Sequence, residues 1–364
     1  MEDHKHKQSP LEAIRCLAFG GLTGALVGAL IFFFKLIAEH LEELSHHIYT
    51  SVSQKPILMI PLFAGIVLLA AGMYLLHRFS PEIKGGGIPR ATGIMRGVLK
   101  FSRLRTFIGT LLGSWISFFA GLPLGSEGPS VLVGTTLGAM LEPRNEKGVL
   151  GRYISTAGAG AGFAVATGAP LTAILFIIEE VHRRITVRLV LVCSAAIFAA
   201  AFVNQALCSL FGIDPVLFGV DALAEISLLH IHYILLLAVI VAFAVWLFDV
   251  CVISFKRLMK KAGKRIPDFV KLLCVFILVG IVGIFFPDAL YGGRGLILGV
   301  MSGEKVLSAL MLLFVWRFSM MVLTSNSGAT GGTFVPTLCI GALVGALSAH
   351  CGYAFDMCCY RARL

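Results

Sequence analysis

The stretch Gly121-Leu122-Pro123-Leu124-Gly125-Ser126-Glu127-Gly128-Pro129 decides how this chain has to be read. One acid stands between small residues, a proline follows it, and apolar sequence extends on either side. In water such a string is an ordinary turn. In hydrocarbon it is costly: an ionisable side chain at the bilayer centre costs on the order of 3 kcal/mol or more. Irregular backbone at that depth also has to be buried in protein or line a polar cavity. The composition around the string therefore settles its meaning.

That composition is a membrane protein's. Of 364 residues, 57% are hydrophobic and only 14% are charged, against roughly 25% charged in an average soluble domain. Mean hydropathy is +0.90. A soluble enzyme or nucleic-acid binder is excluded, because such a chain cannot cover a globule with polar side chains. The net charge of +10 sits in short basic clusters between apolar runs. These are Lys5 and Lys7, the stretch Arg90 to Arg105, His182–Arg188 and Lys256–Arg265. Basic residues favour the cytoplasmic side, which predicts a cytoplasmic N-terminal tail over 1–10 and a multi-pass protein of a bacterial-type inner or plasma membrane. The nine cysteines are scattered, most of them in apolar sequence, and read as small buried hydrophobes. No metal site, cofactor or catalytic motif of the HExxH or GxSxG kind is implied.

Full spans are predicted at Leu11–Ala38 and Pro56–Leu76, and longer apolar runs return at Leu189–Phe211, Ile231–Phe255, Lys271–Phe286 and Val306–Leu323. Between Ile83 and Glu180 apolar segments of about a span's length alternate with pieces too short to cross, broken at KGGGIP (84–89), at the opening string and at ATGAP (166–170); SGATGGTFVP (327–336) precedes a last apolar run, Thr337–Ala349. Hydrophobic segments broken by Gly and Pro point to a transport site. Three of the strings share one construction: Gly85-Gly86-Gly87-Ile88-Pro89, Gly125-Ser126-Glu127-Gly128-Pro129 and Gly331-Gly332-Thr333-Phe334-Val335-Pro336. Proline suits the first helical turn, where its missing N–H would have no partner. Glycine lets backbone approach a ligand closely. Each string thus predicts a half-length helix whose free N–H groups and positive dipole end could face an anion. The candidate anion contacts are Gly86, Gly87, Ile88, Gly125, Ser126, Gly128, Phe334 and Val335. Glu127, at such a start, could mimic the anion until protonation neutralises it, which is a gate coupled to pH.

These strings carry a resemblance. GGGIP resembles the GSGIP of the CLC family of chloride channels and chloride/proton antiporters, GSEGPS its G(K/R)EGP, and GGTFVP its GxFxP. Residues 158–181 and 325–346 are similar to two further family stretches, and the order agrees from about residue 11 to 350. The resemblance implies an all-α polytopic fold with broken half-helices and two inverted repeats, here 11–210 and 211–364. It implies transport of chloride or a similar small anion, coupled to protons by antiport. Glu127 would be the gating glutamate, Glu180 the inner proton-transfer residue, and the Phe334 backbone N–H an anion ligand. A passive gated channel of the voltage-gated type shares the site without the coupling, and an inactive remnant or membrane scaffold is the reading from another class.

Three departures stand out. Gly86 occupies the place of the family's central serine, and Ser126 that of a basic residue. By the resemblance the second repeat is expected to be incomplete, without the family's final helices and the tyrosine that completes its anion site. A longer form is expected to be a homodimer, and the partners otherwise implied are the anion, protons and membrane lipid.

Overall fold

A computed structural model describes residues 10–142, 149–183, 185–215, 217–219, 231–262, 266–301 and 306–361. Lys5, Lys7, Arg184, Lys264 and Arg265 of the expected basic patches lie outside them. Thirteen α-helices make up the described chain, with no β-strand among the described residues. They are α1 Pro10–Gln54, α2 Met59–Phe79, α3 Ile88–Met95, α4 Arg103–Phe119, α5 Glu127–Met140, α6 Val149–Thr167 and α7 Pro170–Phe176. There follow α8 Val187–Phe211, α9 Ile231–Ala262, α10 Asp268–Phe285, α11 Arg294–Met301, α12 Leu307–Ser327 and α13 Phe334–Arg361. Six are long and apolar enough to cross a membrane: α1, α2 (with the short 3-10 turn before it), α8, α9, α10 and α12. Each coincides with a full span or longer apolar run expected from the sequence, whereas none of the six falls among the span-length segments expected between Ile83 and Glu180.

Two lengths differ from expectation. α1 runs on past Ala38 to Gln54 because EHLEELSHHIYTSVSQ contains neither Gly nor Pro, and Tyr49 and Val52 on it are buried. It ends before Pro56, which disfavours helical backbone in the residue preceding it. α13, expected as a half-span, is 28 residues long.

The chain groups into two compact units, each discontinuous in sequence. The first comprises Met1–Glu39, Leu76–Trp115 and Ser126–Leu217. Its core is built by close backbone approach rather than by large side chains. Glycines 20, 24 and 28 of α1 lie against the backbone of Val192, Ala196 and Ala200 on α8, leaving no room for a β-carbon. Gly134 and Gly158 do the same between α5 and α6, and Ser155 Oγ donates to the Thr135 carbonyl across that contact at 2.9 Å. Small residues are what membrane helices use for this, since lipid offers no hydrophobic drive to pack one helix on another. α5 is consequently buried along almost its whole length.

The second unit comprises His40–Leu75, Ile116–Gly125 and Phe218–Leu364. Here the core is conventional, with Tyr49, Ile66, Phe276 and Leu290 buried. Tyr49 donates its hydroxyl to the Ala120 carbonyl at 3.0 Å. The most hydrophobic window of α9 is unburied within the protein, as in a lipid-facing helix.

Candidate functional site

Glu127 is the first residue of α5 and is buried, with 3% of its surface exposed. Ser126 caps the helix; its carbonyl accepts from the Ser130 amide at 2.9 Å and from the Ser130 hydroxyl at 2.7 Å. The Ser126 hydroxyl lies 3.5 Å from Glu127 Oε1. Pro129 falls in the first turn, so the predicted helix start is present where the motif places it. The carboxylate stands at the positive end of the α5 dipole, where negative charge is favoured.

A second helix start packs directly on this one. Gly87 is the N-cap of α3, with φ of 74°, a left-handed value that β-carbon-bearing residues rarely adopt. A β-carbon there would run into the Gly128 carbonyl and approach Pro129 N to 3.0 Å. Gly86, Gly87 and Ile88 are thus brought together with Ser126, Glu127 and Gly128 inside the first unit. The glycine at 87 serves the approach of backbone to backbone.

The remaining candidates belong to the second unit. Gly125 and Gly332 exchange amide–carbonyl hydrogen bonds, Gly125 N to Gly332 O at 2.7 Å and Gly332 N to Gly125 O at 2.6 Å. This bridge anchors the approach to α13, whose first residues are Phe334 and Val335, and Pro336 sits in its first turn. Val335 is buried, whereas Phe334 is 39% exposed. The peptide bond between Gly125 and Ser126 is where the chain passes from one unit to the other.

Glu180 lies elsewhere in the first unit, on a π-helical turn, Ile177–His182, that continues α7. Both Glu179 and Glu180 are exposed. Arg96, just past the end of α3, holds the turn by its backbone: Nε donates to the Val181 carbonyl at 3.0 Å and Nη2 to the Glu180 carbonyl. Among the described residues neither glutamate forms an ion pair with Arg183.

The model of the family described as voltage gated chloride channel matches residues 66–358. The chain belongs to that family. An H(+)/Cl(-) exchange transporter ClcA of Vibrio parahaemolyticus is 32% identical over 79% of this chain, and one of Salmonella paratyphi B is 28% identical over 90% of it. The chain spans 63% and 70% of the length of those two relatives. The crystal structure of a slow cyanobacterial Cl-/H+ antiporter matches the fold with a TM-score of 0.81 at 24% identity, covering 94% of this chain and 80% of that one. Family membership and the apolar helices together make this an integral, multi-pass membrane protein.

One residue of this family member escaped the motif reading. Arg317, in the apolar run VWRFSMM of α12, is 1% exposed. Its guanidinium donates to the carbonyls of Ala289, Leu290, Tyr291 and Gly292 at 3.0, 2.6, 2.8 and 2.8 Å. Gly292 in turn lies against the Leu124 carbonyl and the Gly125 α-carbon. The guanidinium therefore braces the segment beside Gly125, at one remove from the Gly125–Gly332 bridge. The signal in the sequence was a lone cation at mid-span, which is a functional or structural group by default because of its cost there.

Proposed function

We propose that this protein exchanges chloride, or a similar small anion, for protons across a membrane. The observation that carries the reading is the burial of Glu127 at the first turn of α5, with the Gly87 start of α3 packed on it. A helix start attracts an anion without a fixed full charge and so permits it to leave again. A carboxylate at that start competes with the anion when ionised and ceases to compete when protonated. Glu127 is accordingly the gate, and Glu180 the inner proton acceptor. Anion contacts are assigned to the backbone N–H groups of Gly86, Gly87, Ser126, Gly128, Phe334 and Val335; the amides of Ile88 and Gly125, also candidates in the sequence, already donate to the carbonyls of Gly86 and Gly332 at 2.8 and 2.7 Å. The similarity to ClcA proteins, named H(+)/Cl(-) exchange transporters, supports exchange of the two ions as the activity. We assign the N-terminus to the cytoplasmic side and a homodimer to any longer form of the chain.

The test is reconstitution into liposomes with an outward chloride gradient and a pH probe. Proton uptake driven by the gradient, lost in Glu180→Gln with chloride movement retained, is the expected result. Chloride movement without proton uptake in the unmodified protein would make it a channel. No movement of either would leave the scaffold reading.

A further inference from the structure

The turn that carries Glu180 ends in a histidine whose hydrogen bonding defines its protonation chemistry. His182 Nε2 lies 3.0 Å from Thr156 Oγ1 on α6. Thr156 has one hydroxyl proton, and it is donated to the Arg152 carbonyl at 2.8 Å. Toward the imidazole the threonine oxygen is therefore an acceptor, and Nε2 is the nitrogen that carries hydrogen. The neutral ring then has its lone pair on Nδ1. The edge-on ring of Tyr153, with centroids 5.7 Å apart, fixes the plane of the imidazole. The side chain is half-buried, at the edge of a turn whose two glutamates are exposed.

We propose that His182 is a second proton-binding group on this turn, which takes a proton from the inner solution on Nδ1 and yields it to the Glu180 carboxylate. This rests on the reading of Glu180 as the inner proton acceptor. Binding gives an imidazolium with hydrogen on both nitrogens; release of the Nδ1 proton, through solvent, to the carboxylate restores the Nε2–H form and leaves a neutral carboxyl.

The charged and titratable surroundings suit that cycle. Arg96 faces the ring from the end of α3, Arg152 and Tyr153 lie on α6, and α7 carries no titratable group. Glu179, Glu180 and Arg183 share its own turn or follow it. Burial, and secondarily the Arg96 guanidinium, hold His182 below the ordinary imidazole range. The imidazolium is thus a stronger acid than a free one and a readier donor to a neighbouring carboxylate. His182 also lies outside the six apolar spans.

Two measurements on the purified full chain test the proposal. Nitrogen NMR of 15N-histidine-labelled protein in micelles should show one ring, absent in His182→Gln, that is Nε2–H when neutral and titrates below free histidine. Thr156→Val should remove that tautomer preference. A ring found as Nδ1–H, or titrating at or above the free value, would overturn the assignment whatever the transport result. In liposomes, His182→Gln and His182→Asn should keep chloride movement and lose the dependence of proton uptake on inner pH. Unchanged dependence in both variants would overturn the relay. Absence of proton uptake in the unmodified protein would refute the exchange reading and the relay with it, while the NMR result would still decide whether His182 is the proton-binding ring described.

Discussion

Replacing Arg317 by methionine removes the guanidinium while keeping most of the apolar length of the side chain. Four carbonyls, of Ala289, Leu290, Tyr291 and Gly292, lose their donor in a place that is 1% exposed. A hydrogen bond to a charged group contributes about 1.5–3 kcal/mol net. Four bonds sharing one guanidinium are not independent, so we expect roughly half their sum, about 3–6 kcal/mol. Arg317→Lys should fall between, because an ammonium has no planar fork with which to reach the whole collar. The assay is thermal unfolding in detergent, read by a thiol-reactive fluorescent maleimide. Cys339 is a suitable reporter: it is buried, and its sulfur and the Arg317 guanidinium flank the same Gly293. Loss of the brace should expose Cys339 at markedly lower temperature. If Arg317→Met melted within about a degree of the unmodified protein, the carbonyl collar would have other donors and the reasoning would fail.

Gly87→Ala should destabilise by at least the left-handed backbone cost of about 1–2 kcal/mol, with further loss from the collision at the Gly128 carbonyl. An unchanged melting temperature would mean that α3 and α5 do not meet there. Glu127→Gln, which resembles the protonated acid, should leave chloride flux in liposomes intact and abolish its dependence on pH; ordinary pH-dependent exchange would remove Glu127 from the gate. Stability should also depend on His182. Its folded value is held below the ordinary imidazole value, so as pH falls below about 6.5 the unfolded chain binds a proton that the fold resists. Stability present above that pH is therefore lost as pH drops toward the folded value, and a melting curve of His182→Gln should lack that component of the slope.

Much of the site was legible in the chain itself, because the signals are local. Hydropathy over some twenty residues is enough to mark a span, and each of the six long apolar helices coincides with an apolar run read from the sequence. Glycine followed by proline announces a helix start within a few residues of chain, so Ile88, Glu127 and Phe334 all open helices where their motifs lie. The acid at 127 stood out for the cost of placing a carboxylate in apolar sequence. The order of the strings likewise carried the family.

What tertiary structure decided was which of these local features meet. Gly87 against Gly128, Gly125 paired with Gly332, and Arg317 gripping residues 289–292 are contacts between segments far apart in sequence. No local pattern encodes them. A backbone amide has the same chemistry wherever it stands, and which carbonyl it meets depends on how closely two helices can approach. The same holds for His182: in the chain it is one member of a basic cluster, and only Thr156, placed opposite by α6 with its own proton already committed to Arg152, decides which ring nitrogen is left to bind a proton.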